Sequence, residues 1–167
     1  REKKMKFILM FTLLFLNVLK SNSAEFTFEV YGLEKTENFI TSKNQGFSYW
    51  TYTNDGVFTS NISIIGNSKC SGFGNVINKN LTVDVLCENK SEDYVFYAKY
   101  TNSNLNFADS NILSFEIVDA TGPFKELVGQ KCKSAYVPVK ENKYLFKGKC
   151  DIPNSNFERM MNYKKPQ

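Results

Sequence analysis

Leu81-Thr82-Val83-Asp84-Val85-Leu86-Cys87 alternates: Leu81, Val83, Val85 and Cys87 fall on one side, Thr82, Asp84 and Leu86 on the other. A period of two marks a strand with one buried face, because successive side chains of an extended chain point in opposite directions. The next cysteine upstream is Cys70, and the midpoint between it and Cys87 falls between Asn78 and Lys79. That polar pair suits a tight turn, and a two-residue loop there sets Cys70 directly opposite Cys87. Cys132 and Cys150 repeat the arrangement about Glu141, within Lys140-Glu141-Asn142-Lys143. The second hairpin places Cys132, Ser134 and Tyr136 on one face with Tyr144, Phe146, Gly148 and Cys150. Four cysteines leave more than one connectivity open. The strand pattern ranks Cys70–Cys87 and Cys132–Cys150 first, since directly opposed positions at non-hydrogen-bonded pairs lie within disulfide reach. The cysteine spacings of 17, 45 and 18 contain no close pair, and the chain has no histidine, which argues against a tetrahedral metal site.

The same period recurs along the chain. Phe26, Phe28 and Val30 form one face, Tyr94, Phe96, Ala98 and Tyr100 another, and Leu113, Phe115 and Ile117 a third. Phe47 to Thr53 is a run of aromatic and β-branched residues. It reaches Asn54-Asp55-Gly56, a turn signal, and Val57 to Ile65 follows as the second arm of a predicted hairpin. No sustained helical spacing is present. The expected fold is all-β, an antiparallel barrel or sandwich of about eight short strands stapled by two disulfides. Residues 25–153 form a single β domain, and residues 154–167 are a polar tail or one helical turn around Phe157-Glu158-Arg159-Met160.

Residues 1–24 read as a secretory signal peptide. Met5-Lys6 precedes the apolar run Phe7 to Leu16, and small residues (Ser21, Ser23, Ala24) stand near the exit. Arg1 to Lys4 lie upstream of Met5 as a plausible initiator. The run is shorter than the roughly 20 apolar residues that cross a bilayer. The chain's net charge of +4 resides in this leader, which holds five basic residues against one acid; beyond it the two signs balance at sixteen each. A general attraction to nucleic acid or anionic membrane is therefore not supported. The leader and the cysteines together imply a secreted, extracellular protein. The sequons at Asn61, Asn80 and Asn89 agree with that address as glycosylation sites.

Catalytic motifs are absent, and the missing histidine excludes imidazole-based triads. Ser71-Gly72-Phe73-Gly74 lacks the strand-to-helix context of a phosphate loop and reads as a bulge or bend. Glu92-Asp93, and Asp84 with Glu88, read as solvated positions rather than an acid–base pair. Two features stand out as ligand or interface candidates. Lys131, Lys133, Lys147 and Lys149 share the face opposite the second cysteine pair, where they could meet an anionic glycan, lipid headgroup or acidic protein. Tyr49, Trp50 and Tyr52 crowd both faces of one strand, in a chain with 25 aromatic residues. A strand aromatic on both faces is covered on both, which leaves room for a filled barrel interior or a partner-facing surface.

Thr121-Gly122-Pro123-Phe124, followed by Gly129 and preceded by the strand Phe115 to Val118, resembles the signature turn of the dirigent and allene-oxide-cyclase-like β-barrels. The match spans residues 115–129, with Asp119-Ala120 in place of the family's usual glycine. Gly122 and Gly129 supply backbone freedom at the loop ends, and Phe124 plugs the barrel. The resemblance implies a small secreted barrel with an internal cavity and carries over no catalytic residue.

These features imply a secreted, disulfide-stabilised, effector-like protein that acts by binding an extracellular protein, a glycan or a small apolar ligand, with no cofactor. Two rivals stand beside it. One is a dirigent-like barrel enzyme steering an apolar substrate; the other is a structural coat or matrix component.

Overall fold

The computed structural model describes residues 23–42, 46–106 and 112–165. Eight antiparallel strands follow one another around a closed barrel: β1 (Ser23–Ser42), β2 (Phe47–Ser60), β3 (Ile65–Ile77), β4 (Asn80–Lys90), β5 (Val95–Asn106), β6 (Ile112–Ala120), β7 (Lys131–Val139) and β8 (Lys143–Pro153). Each pairs with its sequence neighbours, and β8 closes onto β1 from Ser23–Pro153 to Leu33–Lys143. Closure resolves the choice between barrel and sandwich. The strands are longer than expected: β1 runs for 20 residues and β2 for 14.

Both cysteine pairs form the disulfides that the hairpin spacing predicts. Asn78 and Lys79 adopt φ of 50° and 68°, so β3 and β4 join through a two-residue turn that holds Cys70 against Cys87 with Cα atoms 4.0 Å apart. The loop Lys140–Asn142 has positive φ at Glu141 and Asn142 and holds Cys132 against Cys150 at 4.4 Å.

Two local expectations are corrected. Asn54-Asp55-Gly56 is no turn: it lies inside β2, paired with Glu34, Leu33 and Gly32 of β1 and with Cys70, Lys69 and Ser68 of β3. A hairpin turn needs arms that pair with each other, whereas here both flanks are already occupied by neighbouring strands. The reversal comes instead at Asn61–Ile64, where Ser63 takes φ of 61° and the Ile64 carbonyl accepts from the Ser60 amide at 3.0 Å. Ser71–Gly74 likewise makes no bulge, because β3 stays in register with both neighbours throughout.

One half of the barrel is packed solid. Phe96 stands at the centre of four other rings, with centroids at 4.8 Å (Phe124), 5.2 Å (Phe28), 5.6 Å (Phe58) and 6.4 Å (Phe26). Edge-on and tilted contacts of this kind satisfy the ring quadrupoles. A 3-10 helix, Gly122–Leu127, inserts Pro123, Phe124 and Leu127 into this end. Gly122 (φ 57°) and Gly129 (φ 79°) bracket it, as the turn's physics requires. The carboxyl-terminal segment forms a helix, α1 (Asn154–Met161), with Met160 buried. Asn156 donates to the Glu126 carbonyl and Arg159 to the Glu126 carboxylate, tying α1 to the 3-10 helix. The tail is thus a lid on the packed end, longer than the single turn expected.

Residues 1–22 of the predicted leader lie outside the described residues. Ser23 and Ala24, also within the predicted leader, pair with Pro153 and Ile152.

Candidate functional site

The other half of the barrel is hollow. Alternation along each strand sends one residue in two inward, and a cavity of about 270 Å³ opens where those side chains leave space. Phe28, Val30 and Phe146 form its inner boundary with the packed half. Its walls carry Trp50, Tyr52, Leu81, Val83, Val85, Tyr100, Leu113, Tyr136 and Tyr144, together with the Cys70–Cys87 disulfide. Polar groups enter from Glu34, Thr36, Asn54, Ser68 and Asn89. This combination of apolar wall and few polar groups is typical of small-molecule sites.

Two cross-strand rows organise the polar residues. The first runs Glu34–Asn54–Cys70–Cys87 across β1 to β4. The second runs Tyr144–Gly32–Gly56–Ser68–Asn89 across β8 and β1 to β4. A Cβ at Gly56 would lie 2.8 Å from the Tyr31 backbone oxygen and 2.9 Å from the Tyr144 hydroxyl. A Cβ at Gly74, opposite Trp50 in the β2–β3 ladder, would meet the indole at 2.5 Å.

Hydrogen bonding in the cavity is incomplete. Tyr136 donates its hydroxyl proton to Glu34 Oε2 and stacks on Tyr144 with centroids 6.0 Å apart. Asn54 Nδ2 donates to the Tyr52 hydroxyl at 2.7 Å. Asn54 Oδ1, Asn89 Oδ1 and the Tyr144 hydroxyl are buried with no hydrogen-bond partner among the described residues. Asn89 and Tyr144 are each only 1 % exposed. An unmet buried polar group costs about 1–3 kcal/mol, so this layer of the barrel is poised to accept a polar group from outside the chain.

The tyrosines are held neutral. Burial pushes Tyr52 up to about 12, with Asn54 opposing and the Glu34 charge reinforcing the shift. Burial likewise raises Tyr136, aided by its hydrogen bond to Glu34 and that group's charge, and it raises Tyr144, aided by Tyr52 and Glu34. Tyr100 rises through burial and the neighbouring Tyr52 and Tyr144. All four therefore offer hydroxyl groups rather than phenolates at ordinary pH.

The residues singled out from sequence are distributed unevenly. Trp50 and Tyr52 line the cavity, while Tyr49 is exposed on the exterior against Phe47 at 6.2 Å. Lys131, Lys133, Lys147 and Lys149 lie exposed on one outer face, away from the cavity. Acids accompany them: Lys147 pairs with Glu29 at 3.0 Å, Lys149 with Glu25 at 2.5 Å and Asp151 at 3.5 Å, and Lys131 stands opposite Glu116. The acids Asp84, Glu88 and Asp93 meet Lys99, Tyr97 and Lys165 and share no cleft.

Among the sequons, Asn80 is exposed at the end of the β3–β4 turn. Asn61 is exposed too, with its carboxamide bridging the Thr27 amide and the Glu25 carbonyl. Asn89 is a correction: its side chain lies inside the barrel, where the folded protein has no room for a glycan. Sequence reasoning misses Glu34, Asn54, Ser68, Tyr100, Tyr136 and Tyr144 as cavity residues, and it marks Asn89 only as a glycosylation site. Glu34 and Thr36 continue the even-numbered face begun by Phe26, Phe28 and Val30, which was the available signal. A turn motif hid Asn54, and a sequon hid Asn89.

No family model matches the chain, and no curated protein matches it either. Among solved structures, a conserved protein of unknown function from Rhodopseudomonas palustris is similar, with a TM-score of 0.58 and 7% sequence identity. The likeness covers 78% of this chain and 98% of that one, and it concerns the fold alone.

Proposed function

We propose that the protein is a secreted binder that holds a small, mainly apolar molecule inside its barrel without transforming it. The cavity of about 270 Å³ with unmet buried polar atoms in its wall carries this reading. An eight-stranded barrel has an interior about wide enough for one small ligand. Secretion is supported by the leader-like sequence and by two disulfides, which persist in oxidising compartments. Among the described residues no helix is long and apolar enough to cross a membrane. Asn61 and Asn80 remain the sequons whose side chains reach the surface.

Trp50 is the chain's single tryptophan and lines the cavity, so its emission reports occupancy. Titration with ethylbenzene and 2-phenylethanol is expected to give a saturable change in that emission. Val83→Trp, which fills the cavity, abolishes the matching calorimetric binding signal while circular dichroism keeps its strand signature. Unchanged binding in the filled variant, or no binding by either probe, would overturn the proposal.

A dirigent-like barrel enzyme is the second reading, favoured by one observation: a carboxylate and a tyrosine hydroxyl, Glu34 and Tyr136, meet inside the cavity. Turnover of an apolar substrate that vanishes in Glu34→Gln would establish this reading against simple binding.

A further inference from the structure

Charge inside the cavity is one-sided. Among the described residues that line it, Glu34 is the single acidic side chain, and no lysine or arginine is present. An anionic ligand such as a fatty acid would enter without a counter-charge and beside a carboxylate, and burying an unpaired charge is costly. A cation meets the opposite situation. Glu34 offers a carboxylate, Tyr136 already donates to one of its oxygens, and the rings of Trp50, Tyr52, Tyr100 and Phe146 surround the space below. Aromatic faces attract cations through their quadrupoles, most strongly when both are desolvated.

Two of the three unpartnered buried polar atoms point the same way, and the third, the Tyr144 hydroxyl, can accept as well as donate. Glu34 lies in the same cross-strand row as Asn54, whose carboxamide oxygen is buried without a partner, as is that of Asn89. Both are acceptors, and an ammonium group has donors alone to offer. The electrostatic influence of Glu34 also reaches Tyr52, Tyr136 and Tyr144, so its negative charge acts across the upper cavity rather than at one contact.

We infer that the ligand is a small organic amine, its ammonium group held by Glu34 and its apolar body lying among the cavity's aromatic rings. This rests on the barrel-binder reading and adds the charge of the ligand to it. Phenethylamine, 2-phenylethanol and 3-phenylpropionate share a similar body and differ in the polar end, so they isolate the inference. With the oxidised protein at neutral pH, phenethylamine is expected to bind about tenfold or more tighter than the alcohol, and the carboxylate weakest of the three. Glu34→Gln, which keeps an acceptor for Tyr136, is expected to erase the preference for the amine over the alcohol. Equal binding of amine and alcohol, tighter binding of the carboxylate, or an amine preference that survives in Glu34→Gln would overturn the inference while the cavity reading stands. Binding of none of the three would overturn both. The comparison on the unmodified protein decides the matter even if the variant fails to fold.

Discussion

The indole of Trp50 occupies the space that a side chain at position 74 would take, so a glycine far along β3 sets the shape of a cavity wall formed from β2. Gly74→Ala puts a methyl group into the ring. Overpacking of this kind costs about 1–3 kcal/mol, and urea unfolding is expected to register that loss together with a shift in Trp50 emission. Wild-type stability with unaltered emission would contradict the contact. This pairing shows the reach of single-residue reading. Trp50 was recognisable as a residue needing cover on its face, but the glycine that admits it belonged to a run read as a bend. Asn89 and Asn54 carried local signals, a sequon and a turn, that are real chemistry for an exposed loop. Both were overridden because pairing on two sides carried these residues into the barrel wall.

Antiparallel hairpins conserve the sum of paired positions, which is why two cysteine pairs centred on polar turns were legible before any coordinates. Each disulfide closes a short loop, with separations of 17 and 18 residues, and loops of that length contribute about 3 kcal/mol through the unfolded chain. The two differ in place. Cys70–Cys87 lines the cavity, whereas Cys132 and Cys150 lie buried outside its lining. Replacing either pair by alanine is expected to lower stability by a similar amount in urea. Loss of the first pair should also weaken binding of 2-phenylethanol, and loss of the second should leave it intact. Equal effects on binding would mean that both act only through stability. Strand lengths were less legible than strand centres. Leu33 to Ser42 lacks a continuous apolar face, and its extended form is imposed by ladders to β2 and, as far as Leu33, to β8.

Two buried tyrosines, Tyr100 and Tyr144, and two half-buried ones, Tyr52 and Tyr136, tie the stability of the whole barrel to pH. An unfolded tyrosine ionises near its ordinary value of 10, whereas Tyr52 in the barrel holds its proton to about 12 and Tyr100, Tyr136 and Tyr144 are raised as well. Across that window the unfolded chain has released protons that the folded chain retains. Stability is therefore intact below about pH 10 and falls as pH rises, by up to about 1.4 kcal/mol per unit for each such group. Alkaline titration is expected to show tyrosinate absorbance from this set appearing together with loss of the strand signal in circular dichroism. Ionisation of the buried set within an intact barrel would contradict it. The sequence by itself determined the strand class, ranked the two covalent pairings first and placed the turns at Asn78-Lys79 and around Glu141, since alternation and hairpin symmetry are local properties of the chain. Only the tertiary structure decided that the sheet closes, that one end fills with phenylalanine, and that Glu34, Asn54, Asn89 and the tyrosines converge on a void. The reason is physical: a cavity is the space left between side chains from every strand, and no single segment encodes what its distant neighbours leave empty.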